Sequence, residues 1–299
     1  MSGAVSPSAK RRYGVALVCE VFGLARSTFY GRRATRERPS PTPPKKRGPK
    51  TKLDDASLVA EIRTVLSESL FTGEGHRKAW ARLRFKGVRT SQKRVLRLMR
   101  ENGLLAPPRA RRVLGPHTHD GQITTDRPDE MWGTDATATY TFTEGYVTVF
   151  AAVDHCTSEC VGIHVAKYGS RFEALEPIRQ AVSARFGTYA EGVADGLLVR
   201  HDHGSQYTSD AFQREVAWLG AESSPAFVRA PEGNGVVERF FRTLKEQVLW
   251  VRTFRTVEEL RLALLDWIKV YNEQWLVARH GYRSPAQVRR DLATVAQVA

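Results

Sequence analysis

Apolar residues in the first third of the chain recur at helical spacing, in short runs separated by turn formers. Val15, Val18, Val21 and Phe22 predict one helix, Gly23 a turn, and Ser27, Thr28, Phe29 and Tyr30 a second short segment carrying Arg26, Arg32 and Arg33. This reads as helix, turn, helix within residues 1–35, the geometry with which small modules read DNA. Leu58, Ile62, Val65 and Leu66 make the stripe of another helix, and 75–87 a shorter one with Trp80 and Leu83 inside. A third opens at Thr90 or Ser91 as N-cap and runs through Val95, Leu98 and Met99. That pattern leaves Arg77, Lys78, Arg82, Lys93, Arg94, Arg97 and Arg100 outward, so 53–106 reads as a second helical unit with a cationic surface. Between the units, five prolines in 36–50 exclude regular helix, which makes 36–52 a linker. Residues 107–128 form a second connector.

Beyond residue 129 the period changes. Residues 131–142 are rich in Thr and aromatics, Glu144 and Gly145 make a turn, and 146–153 is an almost unbroken apolar run. A third strand follows at 161–166, and helices at 171–186 and 208–219 flank a fourth at 197–201. Three strands, then helix, strand and helix, imply an α/β core over 129–275, a mixed sheet with helices on its faces. Leu260, Leu264, Trp267, Ile268 and Tyr271 stripe a later helix, and 276–299 reads as a C-terminal tail. The stripe packs on the sheet, or part of it joins Arg279, Arg283, Arg289 and Arg290 of the tail in contacting a second subunit or bound DNA.

Charge divides the chain in the same place. Of 299 residues 46 are Lys or Arg and 32 Asp or Glu, but residues 1–112 hold 27 and 8 of these, a net of +19 that leaves −5 for the rest. A block this basic attracts polyanions and releases counterions from duplex DNA, so nucleic acid comes before a solvated basic face or an anionic membrane surface. No run approaches the ~20 apolar residues that span a bilayer, and the N-terminus lacks the apolar core of a secretory signal. A cytoplasmic, nucleoid-associated protein is expected. Cys19, Cys156 and Cys160 fit reduced, buried thiols.

The acidic part carries the candidate chemistry. Asp135 lies within the first strand, and Asp202 directly follows the apolar start of the fourth. In such sheets functional groups gather near the carboxyl ends of strands. Glu238 sits on a helix after Pro231, Gly233, Asn234 and Gly235. Val237, Phe241, Leu244 and Val248 fall on one stripe of that helix, while Glu238, Arg242 and Lys245 lie together on a face about 90° away. Three converging carboxylates repel unless a hard cation sits between them. Magnesium or manganese suits oxygen ligands, and a pair of such ions serves displacement at phosphorus.

The segments around these acids, Trp132 to Thr137, His201 to Ser209 and Gly233 to Lys245, resemble the catalytic core of retroviral-integrase-like DDE transposases. More closely, they are similar to the second-frame transposases of the bacterial insertion-sequence-three family. In that family 35 residues separate the second Asp from the Glu, with a basic residue seven places on; here 35 residues separate Asp202 from Glu238, and Lys245 stands seven places after it. Tyr271-Asn272, Arg279-His280 and Ser284-Pro285 also match its C-terminal signature, whereas Ala136 and Gly233 depart from it. The resemblance implies an RNase H-like fold preceded by small all-α helix-turn-helix DNA-binding domains. It implies Asp135, Asp202 and Glu238 as catalytic residues holding two Mg2+ ions, for which Mn2+ substitutes. Its substrate is double-stranded DNA, as element terminal repeats and target, cleaved and joined by a homo-oligomer on DNA. Arg26, Arg32, Arg33, Arg77, Lys78, Lys93, Arg94, Arg97, Arg242 and Lys245 are the candidate DNA contacts. Two other readings remain, a DNA-binding regulator with an inactive core and a metal-dependent nuclease without strand transfer. Asp154 reads as structural, and His117, His119, Cys156 and Cys160 are a poor spacing match to a zinc site. His201 and His203 flank the second acid as supporting groups or as aids to DNA or metal geometry.

Overall fold

Residues 4–37, 52–107, 123–226 and 231–298 are described by a computed structural model of the chain. They fall into two units, divided after Lys52. In the first, α1 (Val15–Val21) and α2 (Arg26–Glu37) flank Gly23, whose φ of +61° makes the turn between them. Among the described residues of this unit, Cys19 is the buried apolar one.

The second unit starts with α3 (Asp55–Ser67), α4 (His76–Phe85) and α5 (Gln92–Glu101) around Leu58, Ile62, Val65, Leu83, Val95, Leu98 and Met99. Asp54 and Ser91 cap α3 and α5, accepting from the amides of Ser57 and Arg94. This trio rests against the remainder of the unit. Phe71 meets the Trp275 ring edge-on at 4.9 Å, and Thr72 and Gln247 exchange hydrogen bonds of 2.9 Å in both directions.

Five strands follow, in the order β3-β2-β1-β4-β5: β1 (Met131–Thr141), β2 (Gly145–Asp154), β3 (Cys160–Ala166), β4 (Leu198–His201) and β5 (Glu222–Pro225). The first three pair antiparallel, while β4 runs parallel to β1 and β5 parallel to β4. Helices α6 (Arg171–Phe186), α7 (Ser205–Thr208) and α8 (Asp210–Trp218) cover one face through Trp132, Phe150, Ile178, Val199, Tyr207 and Phe212. The other face carries α9 (Gly235–Leu244), continued by a π-helical turn at Lys245–Leu249, and α10 (Val257–Gln274). This is the mixed, two-face-covered sheet of the RNase H-like fold.

Two features differ from the sequence expectation, and a third decides between its alternatives. Strand β5 is the four-residue edge segment Glu-Ser-Ser-Pro, which has no apolar alternation to announce it. Residues after 275 do not form a loose tail: a 3-10 turn leads into α11 (Pro285–Val298), which packs against α10. The α10 stripe is core, with Leu260, Leu264 and Tyr271 buried and Trp267 stacked on Tyr271 at 5.2 Å. The 38–51 part of the linker, the 108–122 part of the connector, His117 and His119 lie outside the described residues.

Candidate active site

Gly133 of β1 pairs with Arg200 of β4, and continuing that parallel register by two residues brings Asp135 level with Asp202. Both are an even step from that pair, so both face α9 rather than α6. Asp135 is half-buried opposite Ala151 of β2, whereas Asp202 stands exposed just past the end of β4, its Oδ1 accepting from the Gly204 amide at 2.9 Å. Ala136 donates its amide to Asp135 Oδ1 at 2.8 Å.

Glu238 lies in the first turn of α9, exposed, while Val236, Val237, Phe240, Phe241 and Leu244 bury the rest of the helix. Asn234 precedes that helix, where it reads as an N-cap. Its side chain makes no capping bond and instead donates from Nδ2 to the Thr134 carbonyl at 3.1 Å. The start of α9 is thereby tied to the residue before Asp135. Gly133 keeps room for this crossing: a Cβ there would stand 2.7 Å from Asn234 Oδ1 and 2.6 Å from His155 Nε2. Arg200, buried beneath, donates from Nε to the Gly233 carbonyl at 2.7 Å and from Nη1 to Ser224 Oγ at 3.1 Å.

The electrostatics mark the acids as one group. The Asp135 carboxyl is pushed up to about 6, by burial first and then by the neighbouring charges of Asp202 and Glu238, while the Ala136 amide and Lys245 oppose the shift. An all-carboxylate donor set under mutual repulsion fits a hard divalent cation. The carboxylates are not drawn together at ligating spacing, however: among the described residues no group of three His, Cys, Asp or Glu side chains is placed to hold an ion.

Neither histidine beside Asp202 points at the acids. His201 is buried, stacks on Tyr207 at 5.5 Å, donates from Nδ1 to the Asp202 carbonyl at 2.6 Å and accepts from Ser223 Oγ at 2.8 Å. Burial holds its pKa below the ordinary value. His203 donates from Nε2 to the Ala226 carbonyl at 2.7 Å. Asp154 is fully buried and accepts from the amides of Asp129 and Thr157 and from Thr157 Oγ1, a hairpin brace apart from the acids.

Two integrase core domain families match the chain, over residues 125–231 and 220–294, and an HTH-like domain family matches residues 52–112. Together they take in the second helical unit and the sheet with its covering helices. The transposase for insertion sequence element IS629 of Shigella sonnei is 28% identical over 290 residues, covering 94% of this chain and 93% of that protein. Transposase InsD of insertion element IS2 from Escherichia coli is 27% identical over 246 residues, covering 80% of each. The chain is a DDE transposase of the insertion-sequence-three family. Among solved structures, the catalytic core domain of BIV integrase is 18% identical, with a TM-score of 0.41, covering 56% of the transposase and 99% of that chain.

The transposase disposes its cationic residues unevenly. Lys245 is half-buried in the π-helical turn, close enough to Asp135 to act on its charge. Arg242 is exposed and pairs with Glu246 at 3.1 Å. Arg26, Arg32, Arg33, Arg77 and Lys93 are exposed, Arg33 pairing with Glu37 at 2.7 Å. Arg94 and Arg97 turn toward Asp55 at 2.7 Å each, where they hold α5 to the start of α3. Lys78 points inward instead of out: its Nζ lies 2.7 Å from the centre of the Trp275 ring and 3.7 Å from Glu74.

The arginines of the C-terminal segment also bond within the chain. Arg279 donates from Nη2 to the carbonyls of His155 and Cys156 at 2.6 and 2.9 Å. Arg289 bonds Asp129 at 2.5 Å and Glu159, Arg290 pairs with Glu273 at 3.0 Å, and Arg283 pairs with Asp291 at 2.6 Å. Sequence reasoning missed Asn234, Arg200 and His155 as supports of the site. An Asn directly before a helix is a visible signal, but it predicts a cap rather than a crossing to β1.

Proposed function

We propose that Asp135, Asp202 and Glu238 are the catalytic triad of this transposase and hold two Mg2+ ions, with Mn2+ as a substitute. The observation that carries this reading is that Asp135 on β1 stands level with Asp202 just past the end of the adjacent parallel β4, with a third carboxylate and Lys245 acting on the same charge. Ions held by these three carboxylates would supply activation of an attacking oxygen and charge stabilisation of a leaving oxygen at a phosphorus atom. The chain's own groups do the rest. Asp135 offers oxygens from the rigid middle of the sheet, while Asp202 stands at the exposed strand end where a DNA backbone reaches it. Glu238, exposed in the first turn of α9, completes the set by a side-chain rotation, because Asn234 already fixes the helix start beside Asp135. Lys245 neutralises charge at the phosphate.

The substrate in this reading is double-stranded DNA, the terminal repeats of an insertion element and then a target. Arg26, Arg32, Arg33, Arg77 and Lys93 of the helical units contact its backbone, as does Arg242 beside the acids. A homo-oligomer holds paired ends. No described helix is long and apolar enough to cross a membrane.

Incubation with element-end DNA and Mg2+, followed by sequencing of the products, tests the proposal. Joined products, lost in Asp135→Asn, Asp202→Asn and Glu238→Gln with DNA binding retained, are expected. Cleavage without joining would identify a nuclease, and binding without either a regulator.

A further inference from the structure

At the hairpin end of the sheet three large rings stand in solvent. Tyr140, Phe142 and Tyr146 are 52%, 64% and 77% exposed, yet they touch: Tyr140 meets Tyr146 at 5.6 Å and Phe142 at 6.2 Å, both edge-on. Tyr140 and Tyr146 are direct partners across β1 and β2. Just past the end of β3, Tyr168 lies two residues beyond the Thr148–Ala166 pair, the offset that also separates Tyr146 from it, and it too is exposed. Helix α6 covers this face farther down and begins only at Arg171, so Ala138 and the rings form an open shelf. Cations border it. Lys167 Nζ lies 5.5 Å from the centre of the Tyr168 ring, and the Arg171 guanidinium 5.1 Å from that of Phe172. Neither cation has an acidic partner among the described residues, whereas Glu144 is engaged by Thr141 and Val257 and Glu173 by His164.

Exposed rings that hold one another in place, bordered by cations, match the two faces of unpaired nucleic acid: bases stack on rings and phosphates meet the charges. A duplex offers the phosphates but keeps its bases stacked inside. The shelf shares β1 with Asp135, five residues further on and on the opposite face of the sheet, where β1 has outrun its pairing with β4. We propose that Tyr140, Tyr146 and Tyr168, with Lys167 and Arg171, form a binding shelf for single-stranded DNA at the hairpin end of the sheet. The proposal rests on the transposase reading but adds a site separate from the acids and from the helical units.

The test uses the full chain, without metal, so that neither turnover nor the triad enters. The probe is a 16-nucleotide oligothymidine carrying 5-iodouracil, with affinity read by anisotropy and photo-cross-links mapped by mass spectrometry. Wild type should cross-link within residues 138–148 and 167–172. The triple variant Tyr140→Ala, Tyr146→Ala, Tyr168→Ala should lose these links and bind the probe at least tenfold more weakly, with duplex affinity within about twofold of wild type. Replacement of the three by Phe, which keeps the rings, should retain both. Cross-links confined to residues outside the shelf would overturn the proposal. So would unchanged affinity in the triple Ala variant, or a change in its sedimentation with oligothymidine binding intact, which would assign the shelf to a second copy of the chain. Failure of the catalytic reading would appear in the product assay alone.

Discussion

Asn234 donates its side-chain amide to the carbonyl of Thr134, joining residues exactly one hundred places apart. One end of this bond lies next to Asp135 and the other four residues before Glu238, so a single contact sets the spacing of two of the three acids. Its carbonyl partner is buried, and an unmet buried acceptor costs roughly 1–3 kcal/mol. Asn234→Ala should therefore lower stability by that order and reduce Mg2+-dependent cleavage at least tenfold more than an equally destabilising change in the α3–α5 core, such as Val95→Ala. Calorimetric melting with single-turnover cleavage checks it; parallel losses in both variants would remove the positioning role.

Asp135 is held with its carboxyl pushed up to about 6, against an ordinary value of 3.8. A raised carboxyl pKa means that the folded state favours the protonated form. Its charge thus costs stability that grows as pH rises from about 4 to about 6 and stays constant above. At roughly 1.4 kcal/mol per unit the cost at pH 7.5 is at most about 3 kcal/mol, less where solvent screens the group. Metal-free Asp135→Asn should accordingly melt higher than wild type at pH 7.5 and equal to it near pH 4. Added Mg2+ should raise the melting temperature of wild type and not of the variant, and a variant less stable at pH 7.5 would refute the charge argument.

Arg289 reaches Asp129, Glu159 and, at 3.9 Å, Asp154, and it is largely buried among them; Arg290, its neighbour, forms an exposed pair with Glu273. Reversing the first charge leaves several acids facing a new one, and breaking a buried ion group costs roughly 3–5 kcal/mol. Arg289→Glu should lower the melting temperature by many degrees, whereas Arg290→Glu should stay within ~2 °C of wild type. Similar melting temperatures for the two would contradict the placement of Arg289.

Lys93 is exposed on α5, while Lys78, one helix earlier, lies against Trp275. In duplex binding measured across salt, Lys93→Ala should reduce the slope of log affinity against log salt by about 1, one counterion's worth. Lys78→Ala should leave that slope unchanged and instead loosen α3–α5 from the catalytic part, seen as faster hydrogen exchange at Thr72. Equal slope changes would place Lys78 on DNA.

Local pattern determined the helices and most strands, because burial on one face imposes a period that side chains must obey. The α9 stripe of Val237, Phe241, Leu244 and Val248 is buried as its spacing requires, and Glu238 leaves that stripe for solvent. The acids were legible because motif and spacing survive in one dimension. Strand β5 was not: Glu222–Pro225 is half-exposed at a sheet edge, and its strand character comes from pairing with β4 rather than from its own residues. Nor were the arginines of the last segment, which sequence leaves as outward charges. Arg279 bonds carbonyls more than 120 residues away, and Arg289 finds Asp129 at a separation of 160. A cation carries no local sign of whether it will meet phosphate, an acid or the face of a tryptophan. That choice depends on which distant groups folding brings within a few ångströms, and here only the packing of α11 and Trp275 on their neighbours made it.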